Sequence, residues 1–178
     1  MIPEKIITFW FDEHGENDWF TKDAAFDSRV KKKFLQTYWA VVAGETEEWR
    51  RDPLGRLAEI IVLDQFARNL FRGSPQAFAH DPLALALAQE ALRLNADKVV
   101  HARERRFFYM PFMHSESKKI QKRSLALFKA YGDKDVLKFA QDHKRIIDLF
   151  GRYPYRNEIL GRKTTPAEKA FMKTHKGY

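Results

Sequence analysis

Four stretches of the chain carry polar residues where the surrounding pattern asks for apolar ones. The first is LAEIIVLDQFARNLFRG, Leu57 to Gly73. Leu57, Ala58, Ile60, Ile61, Val62 and Leu63 leave only Glu59 to face water, and a helix apolar all round is a buried one. In the second half Phe66, Leu70 and Phe71 keep to one side. On the other, Asp64, Gln65, Arg68, Asn69 and Arg72 share an arc of roughly 140° at 100° per residue. One face thus passes from apolar surface to an acid, two amides and two guanidinium groups, as where a helix leaves a core to line a pocket.

The second stretch is the helical stripe Val136, Ala140, His143, Ile147, Phe150, in which His143 is either a core imidazole satisfied by a carbonyl or carboxylate, or a functional group. The third, MPFMHSES, sets His114 and Glu116 at an expected helix N-terminus, where unbonded N–H groups favour anions. Capping explains Ser115 and Glu116 but not His114. The fourth is GRYPYRN. Gly151 ends the His143 helix and Pro154 prevents another, so Arg152 and Arg156 ride on a stiff, extended segment. They suit a carboxylate or phosphate, or else pair with Asp64 or Glu116 and lock the C-terminal segment in place.

The elements that must position these groups read as helices. Pro3 starts one that Gly15 ends; Phe26, Val30, Phe34, Tyr38 and Val41 mark a second, from about Asp23 to Val42. Asp52-Pro53 opens the central helix with an N-cap acid before a proline. Asp81-Pro82 repeats that signal before LALALAQEALRLN, and DPLGRLAEI and DPLALALAQ suggest two related helical units. A segment from about Ala102 to Tyr109 should end at Pro111. Helices from Glu116 to Tyr131 and Asp135 to Phe150 follow, and Thr165-Pro166-Ala167-Glu168 is a capping box. No period-two strand stands out. The expected fold is all-α: one domain, residues 1–178, of roughly eight helices in an antiparallel helix-hairpin stack.

Composition narrows the function. The 178 residues contain no Cys, which excludes disulfides, thiolate metal sites and a Cys nucleophile. No apolar run reaches the ~18 residues of a membrane span, and the N-terminal stretch lacks a signal-peptide pattern, so a cytoplasmic setting is expected. The net charge of +8 invites a nucleic-acid reading. The basic residues are spread along helical patterns and interrupted by acids, which favours solvated faces instead. GxxxxGK[ST], GxGxxG, HExxH and GxSxG are absent, so no cofactor is implied.

LDQFARNLFRGSPQAFAHDPLAL, the MPFMHSES run and GRYPYRNEILGRKTTPAEKAF, with FD at Phe26–Asp27, resemble the bacterial domain-of-unknown-function family 924 over nearly the whole chain. The resemblance implies an all-helical, TPR-like fold and no activity. It also implies that Asp64, Gln65, Arg68, Asn69, His114, Glu116, Gln121, His143, Arg152, Arg156, Asn157 and Arg162 recur. The chain departs from the family pattern at Tyr155, where histidine is usual.

These residues support a small-molecule site, with Asp64, His143 or His114 as candidate catalytic groups and Arg68 and Arg156 holding an anion. Whether a reaction occurs is left open by the sequence. Two alternatives are a TPR-like groove for a peptide or protein and a nucleic-acid surface. Arg68, Arg152, Arg156 and Arg162 against Asp64 and Glu116 leave a net +2. That favours a small carboxylate or phosphate compound and opposes a metal. The candidate ligand-binding set is Asp64, Gln65, Arg68, Asn69, His114, Glu116, His143, Arg152, Arg156, Asn157 and Arg162, expected to converge on one site.

Overall fold

The structure, a computed structural model, describes residues 2–175 and 177. Among them the chain is all-α with no strand, and no helix is long and apolar enough to cross a membrane. Two units emerge: residues 1–72 with 76–111, and residues 73–75 with 112–178.

The first unit is built on the central helix. Asp52 caps it, its carboxylate accepting from Leu54 N and Gly55 N, and Pro53 takes the first helical position. The helix runs as α4 (Pro53–Ile61), a π-helical turn (Val62–Phe66) and α5 (Ala67–Leu70). Around it stand α1 (Glu4–Phe11), α2 (Glu16–Trp19), α3 (Ala24–Val42), α6 (Asp81–Arg93) and the part of α7 (Ala102–His114) up to Pro111. Leu57, Ile61 and Leu63 are fully buried, as the all-round apolar pattern requires, and Phe9, Trp10, Phe26 and Phe66 close an aromatic core over them.

Glu59 does not face water; it is fully buried. A carboxylate survives there because Thr46 Oγ1 donates to it at 2.6 Å and Arg50 Nε at 2.7 Å. Both come from the Glu47–Arg51 3-10 turn and its flank, a segment the helical period of α4 does not reveal. Asp81 departs from expectation too. It is the first residue of α6 rather than its cap, and its carboxylate is engaged by Arg68.

The second unit holds Phe112–His114 of α7, then α8 (Lys118–Tyr131), α9 (Lys134–Phe150) and α10 (Pro166–Thr174). The helix before MPFMHSES does not stop at Pro111; it continues to His114 with the proline inside. Proline removes one backbone N–H but does not by itself end a helix. His114 therefore ends a helix instead of beginning one. Ser117, not Ser115, caps α8 by accepting from Ile120 N. α8 and α9 form a hairpin turned by Gly132, in the left-handed region at φ 90°, and Asp133, which caps α9. Ile146, Ile147 and Tyr153 make the core here, with Phe150, Tyr155 and Phe171 packed against them. The capping box forms on α10 as read. After Gly151, Tyr153 is extended, and Pro154–Arg156 make a 3-10 turn that places Arg156.

Candidate functional site

The predicted residues fall in both units: Asp64, Gln65, Arg68 and Asn69 in the first, His114, Glu116, His143, Arg152, Arg156, Asn157 and Arg162 in the second.

In the first unit the π-helical turn carries Asp64 and Gln65, both buried. Such turns shift the register of a helix and often accompany functional positions. Gln65 Nε2 donates to Asp64 Oδ2 at 2.5 Å. Arg68 donates to the Asp64 carbonyl and, through Nη1 and Nη2, to the Asp81 carboxylate at 3.1 and 3.2 Å. Asn69 and Arg72 both reach Asp27 on α3, at 2.8 Å from Asn69 and 2.6 Å from Arg72 Nε. Burial raises the Asp27 pKa, but those hydrogen bonds outweigh it and hold the carboxyl below its ordinary value. The polar arc is thus an ion-pair network, tying the central helix to α3 and α6.

In the second unit His143 is 6% exposed. Its Nδ1 lies 2.8 Å from the Phe139 carbonyl, which can only accept, so Nδ1 carries the proton and the neutral ring keeps its lone pair on Nε2. Burial first, then His114, push its pKa down to about 3, with Arg156 acting in the same sense. The His114 ring lies 6.4 Å away and that of Tyr153 5.6 Å, edge to face. Arg156 sits 4.8 Å over the Tyr153 ring and donates to the His114 carbonyl at 3.1 Å.

Glu116 Oε1 accepts from Tyr153 N at 2.8 Å and from Arg162 Nη1 at 2.9 Å. Burial raises the Glu116 pKa, but these bonds and the charges of Arg156 and Arg162 hold it below the ordinary value. Arg152 grips Glu168 with Nε at 2.6 Å and Nη2 at 2.9 Å. That pairing, helped by Thr165, brings Glu168 to about 2 against the effect of burial. Asn157 Nδ2 also reaches Glu168, at 3.3 Å, while its buried Oδ1 has no hydrogen-bond partner.

Some groups escaped the sequence reading. Tyr153, buried, donates its hydroxyl to the Met113 carbonyl at 2.5 Å and accepts from Gln121 at 2.9 Å. Its place two residues from Gly151 in GRYPYRN was the available signal. His175 lies 2.5 Å from Asp142 through Nε2 and 2.5 Å from the Tyr155 hydroxyl through Nδ1. Partners 33 and 20 residues away leave no local trace. Among the described residues no group of three or more His, Asp or Glu side chains is placed to hold a metal. A cleft of about 490 Å³ lies elsewhere, lined by Glu4, Lys5, Thr8, Glu13, Lys33 and Phe34 in the first unit, and contains none of the predicted groups.

Residues 6–176 match the family described as "Bacterial protein of unknown function (DUF924)". No curated protein matches the chain. A solved structure of a protein of unknown function from Agrobacterium tumefaciens is similar, at 39% identity over 97% of each chain with a TM-score of 0.93.

Proposed function

We propose, for a chain that belongs to this DUF924 family of bacterial proteins, that the His143 cluster of the second unit binds a small anion such as a carboxylate or phosphate compound. The observation that carries this is a grouping: the Arg156 guanidinium lies over the Tyr153 ring and on the His114 carbonyl, and the buried His143 imidazole packs against the same Tyr153 ring. Three guanidinium groups meet in this cluster, Arg152 on Glu168, Arg162 on Glu116 and Arg156 on the His114 carbonyl. An anion gains charge-assisted hydrogen bonds from guanidinium groups so placed. Arg156 and Arg162 are assigned to the ligand, Asn157 and His114 to its surroundings, and Arg152 mainly to Glu168.

Proton transfer is secondary in this reading. An imidazole with a pKa near 3 is a weak base, held there by burial first and His114 second, with Arg156 contributing least. Asp64, Gln65, Arg68 and Asn69 are assigned to the ion-pair network of their own unit. A cytoplasmic setting, expected from the sequence, belongs to the same proposal.

Thermal melts with phosphate, sulfate and dicarboxylates test it. At ten times Kd the gain is about 1.4 kcal/mol, or roughly 3–6 °C in Tm for a chain of this size. Arg156→Ala should abolish the rise. Stabilisation by divalent metals but not by anions would overturn the reading.

A further inference from the structure

Arg106, on α7 in the first unit, is 7% exposed. Its guanidinium carbon lies 5.3 Å from the Trp19 ring, 5.2 Å from Phe20 and 5.3 Å from Phe107. Nη1 donates to Glu16 Oε1 at 2.9 Å. Nε and Nη2 are buried with no hydrogen-bond partner. Those two nitrogens form the straight edge that takes a carboxylate through parallel bonds. Elsewhere in this chain that edge does so: Arg50 on Glu59, Arg72 on Asp27, Arg93 on Glu90 and Arg152 on Glu168.

A buried cation with its best edge unpaired is costly, and a matching acceptor removes the cost. Glu16 does not supply it, because its side chain is 71% exposed and reaches only Nη1. In the same ring cluster Trp10, stacked on Trp19 at 5.6 Å, keeps its own buried Nε1–H without a partner. The unmatched groups here are all donors. The geometry points to a binding site for a small carboxylate with an apolar body, its two oxygens on Nε and Nη2 of Arg106 and its body against Trp19 and Phe20. A tetrahedral phosphate fits less well, since its remaining oxygens would lie among aromatic rings. Phe20 is 56% exposed, and α2, the single turn that carries Glu16, reaches Arg106 through a solvated ion pair. A ligand gains access by displacing the exposed Glu16 carboxylate, while Trp19 stays held by its hydrogen bond to the Trp10 carbonyl.

Trp10, Trp19, Trp39 and Trp49 are the four tryptophans, all in the first unit. Their fluorescence therefore reads this site and not the His143 cluster, so either proposal can fail alone. Benzoate, acetate and inorganic phosphate would be titrated into the full chain. Benzoate should give a saturable fluorescence change, acetate a weaker one and phosphate none. Arg106→Lys keeps a cation but loses the edge, and should weaken benzoate about tenfold. If that variant does not fold, Phe20→Ala, at an exposed position, should weaken benzoate several-fold at unchanged Tm. No saturable response to benzoate, an equal response to phosphate, or unaltered benzoate affinity in the folded variants overturns the inference.

Discussion

His143 shows how much one side chain reveals. Its stripe of apolar neighbours marks it as buried, and the Phe139 carbonyl four residues earlier satisfies the bland reading of a core histidine. What periodicity does not show is the charge around it. With a folded pKa of about 3 against an ordinary 6.5, the unfolded chain binds the extra proton between those values. Stability is therefore full above about pH 6.5 and is lost as the pH falls towards 3, by on the order of 5 kcal/mol at full effect. Glu168, held near 2, acts in the same direction below its ordinary value of 4.5. Denaturant midpoints measured between pH 7 and 4 should fall steeply in the native chain and distinctly less in His143→Gln. Equal slopes would mean that His143 is not the titrating group. Glu59 marks the limit of such reading: periodicity aimed it at water because its partners Thr46 and Arg50 belong to another segment.

At the scale of elements, local signals were most legible where a cap settles its own helix. Asp52-Pro53 and the Thr165 capping box formed as read. Asp81 has the same sequence signal, but the guanidinium of Arg68 competes for its carboxylate and the cap is not made. The π-helical turn at Val62–Phe66 was invisible because no residue type specifies it, yet it sets where Asp64 and Gln65 lie. Gly55 is a clear consequence of packing at this scale. A Cβ built there would stand 2.0 Å from the Trp49 carbonyl oxygen, so the 3-10 turn rests directly on α4. Gly55→Ala, stabilising by about 1 kcal/mol on an isolated helix, should instead destabilise the protein by about 1–3 kcal/mol, through overpacking. Chemical denaturation decides it; a neutral or stabilising effect would mean that the two segments can part without cost.

For the molecule as a whole, the helical class was legible because hydrophobic periodicity and caps are local, and the chain shows no strand among its described residues. Helix α7 runs through Pro111, where the two compact units meet in the sequence. The net charge of +8 is interspersed, with pairs such as Arg93–Glu90, Arg103–Asp12 and Arg145–Asp142 tying cations to nearby acids. Exposed pairs of this kind add little stability, but they spread the charge. The anion site proposed around His143 can be tested there directly. Ring-nitrogen NMR of His143 at neutral pH, recorded during a phosphate titration, should begin with the Nδ1-protonated neutral form. It should then move saturably towards imidazolium in the native chain and not in Arg156→Ala. A His143 ring unmoved by phosphate, sulfate and dicarboxylates, or moved equally in Arg156→Ala, would contradict the assignment of this cluster as an anion site.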